Sequence, residues 1–242
     1  MIVKTRGIVL KSFKYGESSQ ITTIYTEEAG LQKYIISGLR QKKPTISPVL
    51  LQALSVVELV AYQKDGKDLH RIREMRPALL YTNLPFDLVK RSIGLFLTEL
   101  IQKTIRISEA QSSLFDFLLE GLTLLDGSTK PVNNFHLCFM MQFSTYLGIQ
   151  PSDNYTAATP LFDLREGVFV MAAAESPYTL TAEDSQLWLA LAQADLRDCH
   201  LTGVNSSNRS RILQHLLRYF KIHLENMPDL HSHEILEQVL RG

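Results

Sequence analysis

The fold of the first third of the chain is decided by residues 5–43, which read TRGIVLKSFKYGESSQITTIYTEEAGLQKYIISGLRQKK. Three short runs rich in Val, Ile, Thr and Tyr are separated by glycine-containing turns at residues 15–18 and 29–30. Runs of this composition, bounded by turn residues, are typical of β-strands. Residues 5–43 therefore predict three consecutive strands.

Two more runs of this kind follow, LSVVELVAYQ at residues 54–63 and DLHRIREM at residues 68–75. The connection over residues 38–52 is long, and its two prolines and three cations are hard to fit into a sheet. Five strands with one long connection after the third predict a small Greek-key barrel of the OB type. A five-stranded SH3-like barrel fits the pattern nearly as well.

The sequence period changes after residue 77. Apolar residues then recur three or four positions apart over residues 86–101, which indicates an amphipathic helix. Further helical stretches are predicted at residues 114–125, 133–148, 181–194, 209–225 and 233–240.

Within this helical part, Thr181 and Asp184 resemble a helix N-cap and the acid that follows it three positions later. Gly, Pro and Asp at turn positions interrupt the helices and predict an irregular insert at about residues 150–175. The predicted fold class is therefore α+β. A five-stranded barrel domain occupies residues 1–80, and a mainly α-helical domain occupies residues 81–242.

Charge is divided unevenly between these two parts. The whole chain is neutral, with 25 Lys or Arg against 25 Asp or Glu. Residues 1–80 carry 13 Lys or Arg against 7 Asp or Glu, whereas residues 81–242 carry 12 against 18. A basic barrel joined to an acidic helical part favours nucleic acid as the ligand of the barrel, because cations attract the phosphate backbone.

The candidate DNA-binding residues lie on two strands and one loop. Strand alternation places Arg71 and Arg73 on one face of the last strand and Ile72 on the other. Tyr15 adjoins a turn and is the aromatic residue best placed to stack on a base, whereas Phe13, Tyr25 and Tyr34 suit the barrel core. The predicted set is Arg6, Lys11, Lys14, Tyr15, Arg40, Lys42, Lys43, Arg71 and Arg73.

The late helix over residues 209–225 gathers cations beside the apolar residues Leu213, Leu217 and Phe220. A basic and apolar surface could accept an acidic peptide that ends in an apolar side chain. An ordinary amphipathic helix with a solvated basic face explains the pattern equally well. The candidate partner-binding residues are Arg209, Arg211, Arg218 and Lys221.

The sequence contains none of the common nucleotide-binding or catalytic-nucleophile motifs that we searched for. The chain has no G-x-x-x-x-G-K or G-x-G-x-x-G phosphate cradle and no G-x-S-x-G elbow, which disfavours an ATPase, a dinucleotide enzyme and an α/β-hydrolase. A hydrolase whose active-site residues are scattered along the chain is the third and least favoured hypothesis. Cys138 and Cys199 are expected to be free and buried. We predict no enzyme activity, cofactor, metal site or membrane segment, and expect a cytoplasmic protein because the N-terminus resembles no signal peptide.

The ordered motifs of the first strands resemble the RecO family of recombination mediators. The family's GIVL strand, YGE-S turn, T-x-E-x-G hairpin and basic G-x-R-x-x-K loop correspond here to residues 7–10, 15–18, 26–30 and 38–43. The resemblance continues more weakly at residues 146–151, YLGIQP, and at residues 216–225, LLRYFKIHLE. It implies an N-terminal OB fold and a helical C-terminal domain.

The resemblance also implies a function. It predicts a nucleoid-associated protein that binds single- and double-stranded DNA and anneals complementary strands. The implied protein partners are RecR and the tail of single-stranded DNA-binding protein, and the implied outcome is the loading of RecA. The alternative is a non-catalytic adaptor whose small barrel binds a peptide.

One feature departs from the family pattern. Many RecO proteins carry a four-cysteine zinc module after the helix that ends here near residue 148, but no cysteine follows at that place in this chain. We therefore predict an insert without structural zinc, held by apolar packing. The expected packing residues are Tyr155, Leu161, Phe162, Val168 and Phe169.

Overall fold

A computed structural model describes residues 1–39, 45–63, 66–105, 109–171 and 176–241. The chain divides into two compact units. The barrel unit comprises residues 1–86 and 97–126, and the helical unit comprises residues 87–96 and 127–242. The predicted domain boundary at residue 80 stays a prediction.

The barrel has the five strands that the sequence predicts, and they are β1 (Ile2–Tyr15), β2 (Ser19–Thr26), β3 (Gly30–Ile36), β4 (Val56–Tyr62) and β5 (Leu69–Pro77). Their order in the closed sheet is β1-β2-β3-β5-β4, with β4 returning to β1. Strands β3 and β5 pair in parallel, and all other neighbours are antiparallel. This is the OB-type arrangement, so the OB prediction is confirmed and the SH3-like alternative is not observed.

The inside of the barrel is filled by alternating residues from every strand, including Val9, Ile24, Tyr34 and Ile72. Gly7 is the inward residue that leaves room for them, since a Cβ at its position would lie 2.5 Å from Ile24 Cγ2. The glycine of the GIVL run is therefore required by packing. A β-branched neighbour such as Ile24 has little rotamer freedom with which to move away.

Strand β1 contains a bulge that changes which side chains face outward. Val9 pairs with Ile24 and Lys11 pairs with Thr23, so Leu10 is the extra residue. Leu10 is buried, and its carbonyl accepts a hydrogen bond of 2.6 Å from Gln102 Nε2. Beyond the bulge, Lys11 and every second residue after it lie on the outer face.

Two helices contribute to the barrel unit: the second half of α1 (Leu88–Thr104) and nearly all of α2 (Ser112–Gly127). Phe115 of α2 stacks on Tyr25 of β2, with ring centroids 6.5 Å apart. Tyr25 is buried although it lies on the outer side of β2, and its burial raises its pKa to about 12. One part of the outer barrel face is therefore covered by helices and is closed to ligands.

The helical unit contains α3 (Phe135–Tyr146), α4 (Ala182–Gln193), α5 (Arg209–His223) and α6 (Ser232–Arg241). The predicted N-cap of α4 is confirmed, because Thr181 Oγ1 accepts a hydrogen bond from the amide of Asp184 at 3.2 Å. None of the helices in the described part of the chain is long and apolar enough to cross a membrane.

The insert forms a small hairpin of β6 (Leu161–Asp163) and β7 (Val168–Val170). Phe162 is buried and stacks on Trp188 with ring centroids 4.7 Å apart, and Phe169 packs edge-on against Phe162 at 5.1 Å. Tyr155 packs edge-on against Phe169, while Leu161 and Val168 are half-buried. Aromatic packing therefore holds the insert.

The side chain of Asn154 binds the β7 edge of this hairpin. The amide oxygen of Asn154 accepts a hydrogen bond from Phe169 N at 2.8 Å, and its amide nitrogen donates to Phe169 O at 2.9 Å.

Within the residues that the structure describes, no group of three or more His, Cys, Asp or Glu side chains is arranged to hold a metal ion.

The two cysteines are free and buried, as predicted. Burial raises the pKa of both thiols, that of Cys199 to about 11. A buried thiol that stays protonated at neutral pH is a poor nucleophile and a poor metal ligand. Cys138 and Cys199 are therefore core residues of the helical unit.

Candidate nucleic-acid interface

The part of the outer barrel face that the helices leave open carries a row of cations. Lys11 of β1 pairs with Thr23 of β2, and Thr23 pairs with Lys33 of β3. Lys33 pairs in turn with Leu69, two residues before Arg71 on β5. Residues that pair across strands share a face, and neighbouring strands lie about 4.8 Å apart. The three cations therefore all point to the outer side of the barrel, on strands β1, β3 and β5.

Aromatic and aliphatic side chains alternate with these cations. The next row of paired residues is Phe13, Ile21, Ile35, Arg71 and Tyr62. Phe13 is 47% exposed, Tyr15 54% and Tyr62 42%, so their rings are accessible to a ligand. Exposed aromatic rings between cations are typical of proteins that bind single-stranded nucleic acid, because the bases stack on the rings while the phosphates pair with the cations.

The open face, as we define it, is a set of eight solvent-accessible outward residues on strands β1, β3, β4 and β5. Its members are Lys11, Phe13, Tyr15, Lys33, Ile35, Tyr62, Arg71 and Arg73.

The cations of the open face differ in how far they are neutralised. Lys11, Lys33 and Arg71 form no ion pair with another residue of the described ranges. Arg73 lies 3.1 Å from Glu74 in an exposed ion pair, which solvent screens. Three unneutralised cations on one surface would bind phosphates with less competition than an ion-paired set.

The rest of the outer barrel face is neutralised. Arg76 of β5 donates to Glu58 of β4, and the Arg76 guanidinium holds the pKa of the Glu58 carboxyl below its usual value. Lys4 and Glu74 lie in the same shallow depression. Acids and bases alternate there, so this region does not attract a polyanion.

Arg6 occupies a different environment from the one expected of a DNA contact. Its guanidinium donates two hydrogen bonds to Glu27, at 2.8 Å and 2.6 Å, and lies 5.2 Å from the ring centroid of Phe115. The hydrogen bond and charge of Arg6 hold the pKa of Glu27 low, and Asp116 adds a second carboxylate at 3.7 Å. Its charge and donors are committed within the fold, which removes Arg6 from the proposed interface.

Lys14 is exposed but lies on the opposite side of β1 from Lys11 and Tyr15. It shares its side of the strand with Ser12, whose hydroxyl hydrogen-bonds Thr22 across the barrel end at 2.8 Å. The loop cations Arg40, Lys42 and Lys43 lie outside the described residues.

Four members of the open face were not among the predicted site residues: Phe13, Lys33, Ile35 and Tyr62. Phe13 was expected in the core, but the bulge at Leu10 turns it outward. Lys33 could have been found from alternation, because it lies between the half-buried Gln32 and the buried Tyr34 on β3. Tyr62 belongs to the face only because β4 pairs with β5, which no local pattern reveals.

The four predicted partner-binding cations do not form one surface. Arg209 and Arg211 are two residues apart on α5 and therefore point to nearly opposite sides of the helix. Arg209 donates to Asn134 at 2.9 Å, and burial lowers its pKa. Arg211 pairs with the buried carboxylate of Asp184 at 2.8 Å and with Glu183 at 3.1 Å. Both are structural.

The apolar residues predicted beside these cations are also core residues, since Leu213, Leu217 and Phe220 are buried. The apolar stripe of α5 packs inside the helical unit, so the prediction of a combined basic and apolar helix face is wrong for Leu213 and Phe220. Leu217 is the exception, because it reaches the floor of a groove.

This groove, the α5–α6 groove, has a volume of about 460 Å³. Leu217, Met227 and Leu230 line its apolar part, and Arg218 and Lys221 lie at its rim. Lys221 also contacts Asp229. Two of the four predicted cations are thus brought together, beside apolar surface.

The fold and the open face define a class: an OB-type barrel protein with a basic and aromatic strand face, continued by a helical part. Residues 1–81 match the family model for the N-terminal part of recombination protein O, and residues 85–233 match the model for its C-terminal part.

Relatives of the same family cover almost the whole chain. The DNA repair protein RecO of Bacteroides fragilis is 34% identical over 242 residues, which is 99% of each chain. The protein of the same name from Phocaeicola vulgatus is 31% identical over 239 residues, again 99% of each chain. The chain therefore belongs to the RecO family of DNA repair proteins, as the sequence motifs indicated.

Proposed function

We propose that this protein is a non-enzymatic recombination mediator that binds single- and double-stranded DNA on the open face and anneals complementary strands. With RecR, it helps to load RecA onto DNA coated by single-stranded DNA-binding protein, and it works in the cytoplasm on the nucleoid. The observation that carries the proposal is the coincidence of unneutralised cations and exposed aromatic rings on one barrel surface.

The proposed mechanism follows from the chemistry of that surface. Lys11, Lys33 and Arg71 neutralise phosphates, which reduces the repulsion between two approaching strands. Phe13 and Tyr15 stack on bases of a single strand, while the remaining bases stay available for pairing. Arg40, Lys42 and Lys43 extend the cationic surface in this proposal, because their loop follows directly after β3.

The first test removes the three unneutralised cations. The triple variant Lys11→Ala, Lys33→Ala, Arg71→Ala should lower the slope of log affinity against log salt by about 2 for single-stranded DNA, at about 0.7 per phosphate contact. A matched control removes three exposed cations of the helical unit, Lys130, Arg197 and Arg241, and should leave the slope unchanged. An equal loss in both triple variants would mean that only net charge matters and that the open face is not the site.

The second test separates stacking from charge. Phe13→Ala and Tyr15→Ala should each weaken single-strand binding by about 1 to 3 kcal/mol per base that is stacked. Double-stranded DNA, whose bases are already stacked, should bind with unchanged affinity. A loss of the same size for both substrates would contradict base stacking.

Strand annealing distinguishes the mediator from an adaptor whose barrel binds a peptide. Two complementary labelled strands should anneal faster with the protein, and the triple variant of Lys11, Lys33 and Arg71 should lose that acceleration. An adaptor would leave the spontaneous rate unchanged.

The tail of single-stranded DNA-binding protein is the proposed occupant of the α5–α6 groove. An acidic peptide with an apolar end matches a groove that offers an apolar floor and two cations at its rim. Charge reversal at Arg218 and Lys221 should weaken the binding of a labelled tail peptide. Arg197→Ala, which removes an exposed arginine of the helical unit outside the groove, should leave it unchanged. Unaltered affinity in the reversal variant would exclude this groove.

A further inference from the structure

One aromatic ring of the helical unit holds two arginines. The guanidinium carbon of Arg218 lies 4.6 Å from the ring centroid of Tyr178, and that of Arg165 lies 5.6 Å from it. Both distances are within the range of cation–π contacts. Arg165 and Arg218 are exposed, and Tyr178 is half-buried.

The two arginines are held in place by separate parts of the backbone. Arg218 extends from α5 and donates a hydrogen bond to the carbonyl of Pro177 at 3.2 Å. Arg165 lies in the β6–β7 turn, and its amide donates to Asp163 Oδ1 at 2.8 Å. The bond to Pro177 positions the Arg218 guanidinium, and the ring contact positions that of Arg165, before any ligand arrives, which lowers the entropy lost on binding.

Asp163, a buried carboxylate of the same turn as Arg165, does not neutralise this pair. Burial alone would raise the pKa of Asp163, but hydrogen bonds from the amides of Glu166 and Arg165 and from Thr179 hold it below its usual value. The negative charge of Asp163 is therefore stabilised by hydrogen bonds from Arg165, Glu166 and Thr179. Neither Arg165 nor Arg218 forms an ion pair with another residue that the structure describes.

Arg211, seven residues before Arg218 on α5, shows the contrast. Its charge is matched by the carboxylates of Glu183 and Asp184, as described above.

The positive charges of Arg165 and Arg218, which contact one ring, repel each other, and a bound anion that contacts both relieves that repulsion. A guanidinium that lies against a ring keeps its N–H donors along the edge of its plane, where they fit phosphate oxygens.

We propose that Arg165 and Arg218, held by Tyr178, form a second phosphate-binding site, which takes a phosphodiester of a DNA strand. This inference rests on the proposed function, because annealing brings two strands to one protein. The open face belongs to the barrel unit and this site to the helical unit, so one chain has separate contacts for two strands.

The test measures how many short oligonucleotides bind to each chain of the full-length protein at low salt, with labelled oligothymidine of ten nucleotides as the probe. The wild type should bind two per chain. Arg165→Ala should bind one. Arg165 is chosen because Arg218 also lines the α5–α6 groove. Arg197→Ala, which removes an exposed arginine of the same unit, is the matched control and should bind two.

Variants of the ring check the positioning role of Tyr178. Tyr178→Phe keeps the cation–π contacts and should still bind two oligonucleotides, whereas Tyr178→Ala should bind one. The fluorescence of Trp188, the single tryptophan, reports whether each variant keeps its fold. If Tyr178→Ala unfolds the insert, the comparison of Arg165→Ala with Arg197→Ala still decides the matter.

The outcomes separate this inference from the proposed function. Loss of one oligonucleotide in Arg165→Ala and of the other in the triple variant of Lys11, Lys33 and Arg71 supports both. Loss in Arg165→Ala alone supports the second site and overturns the open face. Two oligonucleotides bound by Arg165→Ala, or a site that takes inorganic phosphate but no oligonucleotide, overturns the second site.

Discussion

Asp126 offers the sharpest test of how the barrel unit is held together. It lies near the end of α2, and its carboxylate accepts hydrogen bonds from three successive backbone amides. The amides are those of Thr82 at 2.9 Å, Asn83 at 2.8 Å and Leu84 at 2.6 Å, and the Thr82 hydroxyl adds a fourth bond at 3.0 Å. The carboxylate therefore fixes the segment that follows β5.

The cost of Asp126→Ala can be worked out from the exposure of these donors. Leu84 is buried, so its amide loses its acceptor without replacement by water, at about 1 to 3 kcal/mol. Thr82 and Asn83 are exposed, and water can replace their bonds at about 0.5 kcal/mol each. We expect a loss of about 2 to 4 kcal/mol in the free energy of unfolding. Asp116→Ala, an exposed acid on the same helix, should cost less than about 0.5 kcal/mol.

The pH dependence gives an independent check. Burial alone would raise the pKa of Asp126, but the hydrogen bonds from Thr82, Leu84 and Asn83 outweigh it and hold the pKa below the ordinary value. A lowered pKa stabilises the fold above the unfolded value of about 3.9, and this stabilisation is lost as the pH falls through the folded value. The difference between wild type and Asp126→Asn should therefore shrink below about pH 4.

Urea unfolding followed by circular dichroism at several pH values measures both effects. The reasoning is refuted if Asp126→Ala costs no more than Asp116→Ala. It is equally refuted if the difference between wild type and Asp126→Asn stays constant as the pH is lowered.

Three further predictions concern packing and metal content. Gly7→Ala should destabilise the protein by about 1 to 3 kcal/mol because its Cβ would meet Ile24, whereas Gly127→Ala, with no atom within 4 Å, should be near neutral in the same urea assay. Asn154→Ala should lower the free energy of unfolding by about 1 to 2 kcal/mol, because it removes both hydrogen bonds to Phe169. Unfolding followed by Trp188 fluorescence measures this loss, and a value near zero would contradict the role of Asn154 at the hairpin edge. Treatment with a chelator should leave the melting temperature unchanged if the insert needs no zinc, and a fall in that temperature would contradict the prediction.

Local patterns in the sequence predicted the elements well. The five strands, the helices and the N-cap at Thr181 follow from alternation, period and turn chemistry, which act between residues close in the chain. Asp184 shows the limit of such patterns. Its position suggested an acid serving its own helix end, but its carboxylate pairs with Arg211 and His215, 27 and 31 residues away.

The candidate site was predicted only in part, and for the same reason. Lys11, Tyr15, Arg71 and Arg73 were identified from charge, turns and alternation. The exclusion of Arg6 depends on Glu27, which lies across a strand pair, and that contact has no local signal.

The barrel class, the family and the basic character of the first part of the chain therefore follow from residue type and short-range order, which are readable along the chain. Only the tertiary structure decided which cations are neutralised and which stand together. The parallel pairing of β3 with β5 brings Arg71 beside Lys33, and the bulge at Leu10 turns Phe13 outward. The contact of Arg165 and Arg218 with one ring likewise joins residues 53 positions apart, which only long-range packing can do.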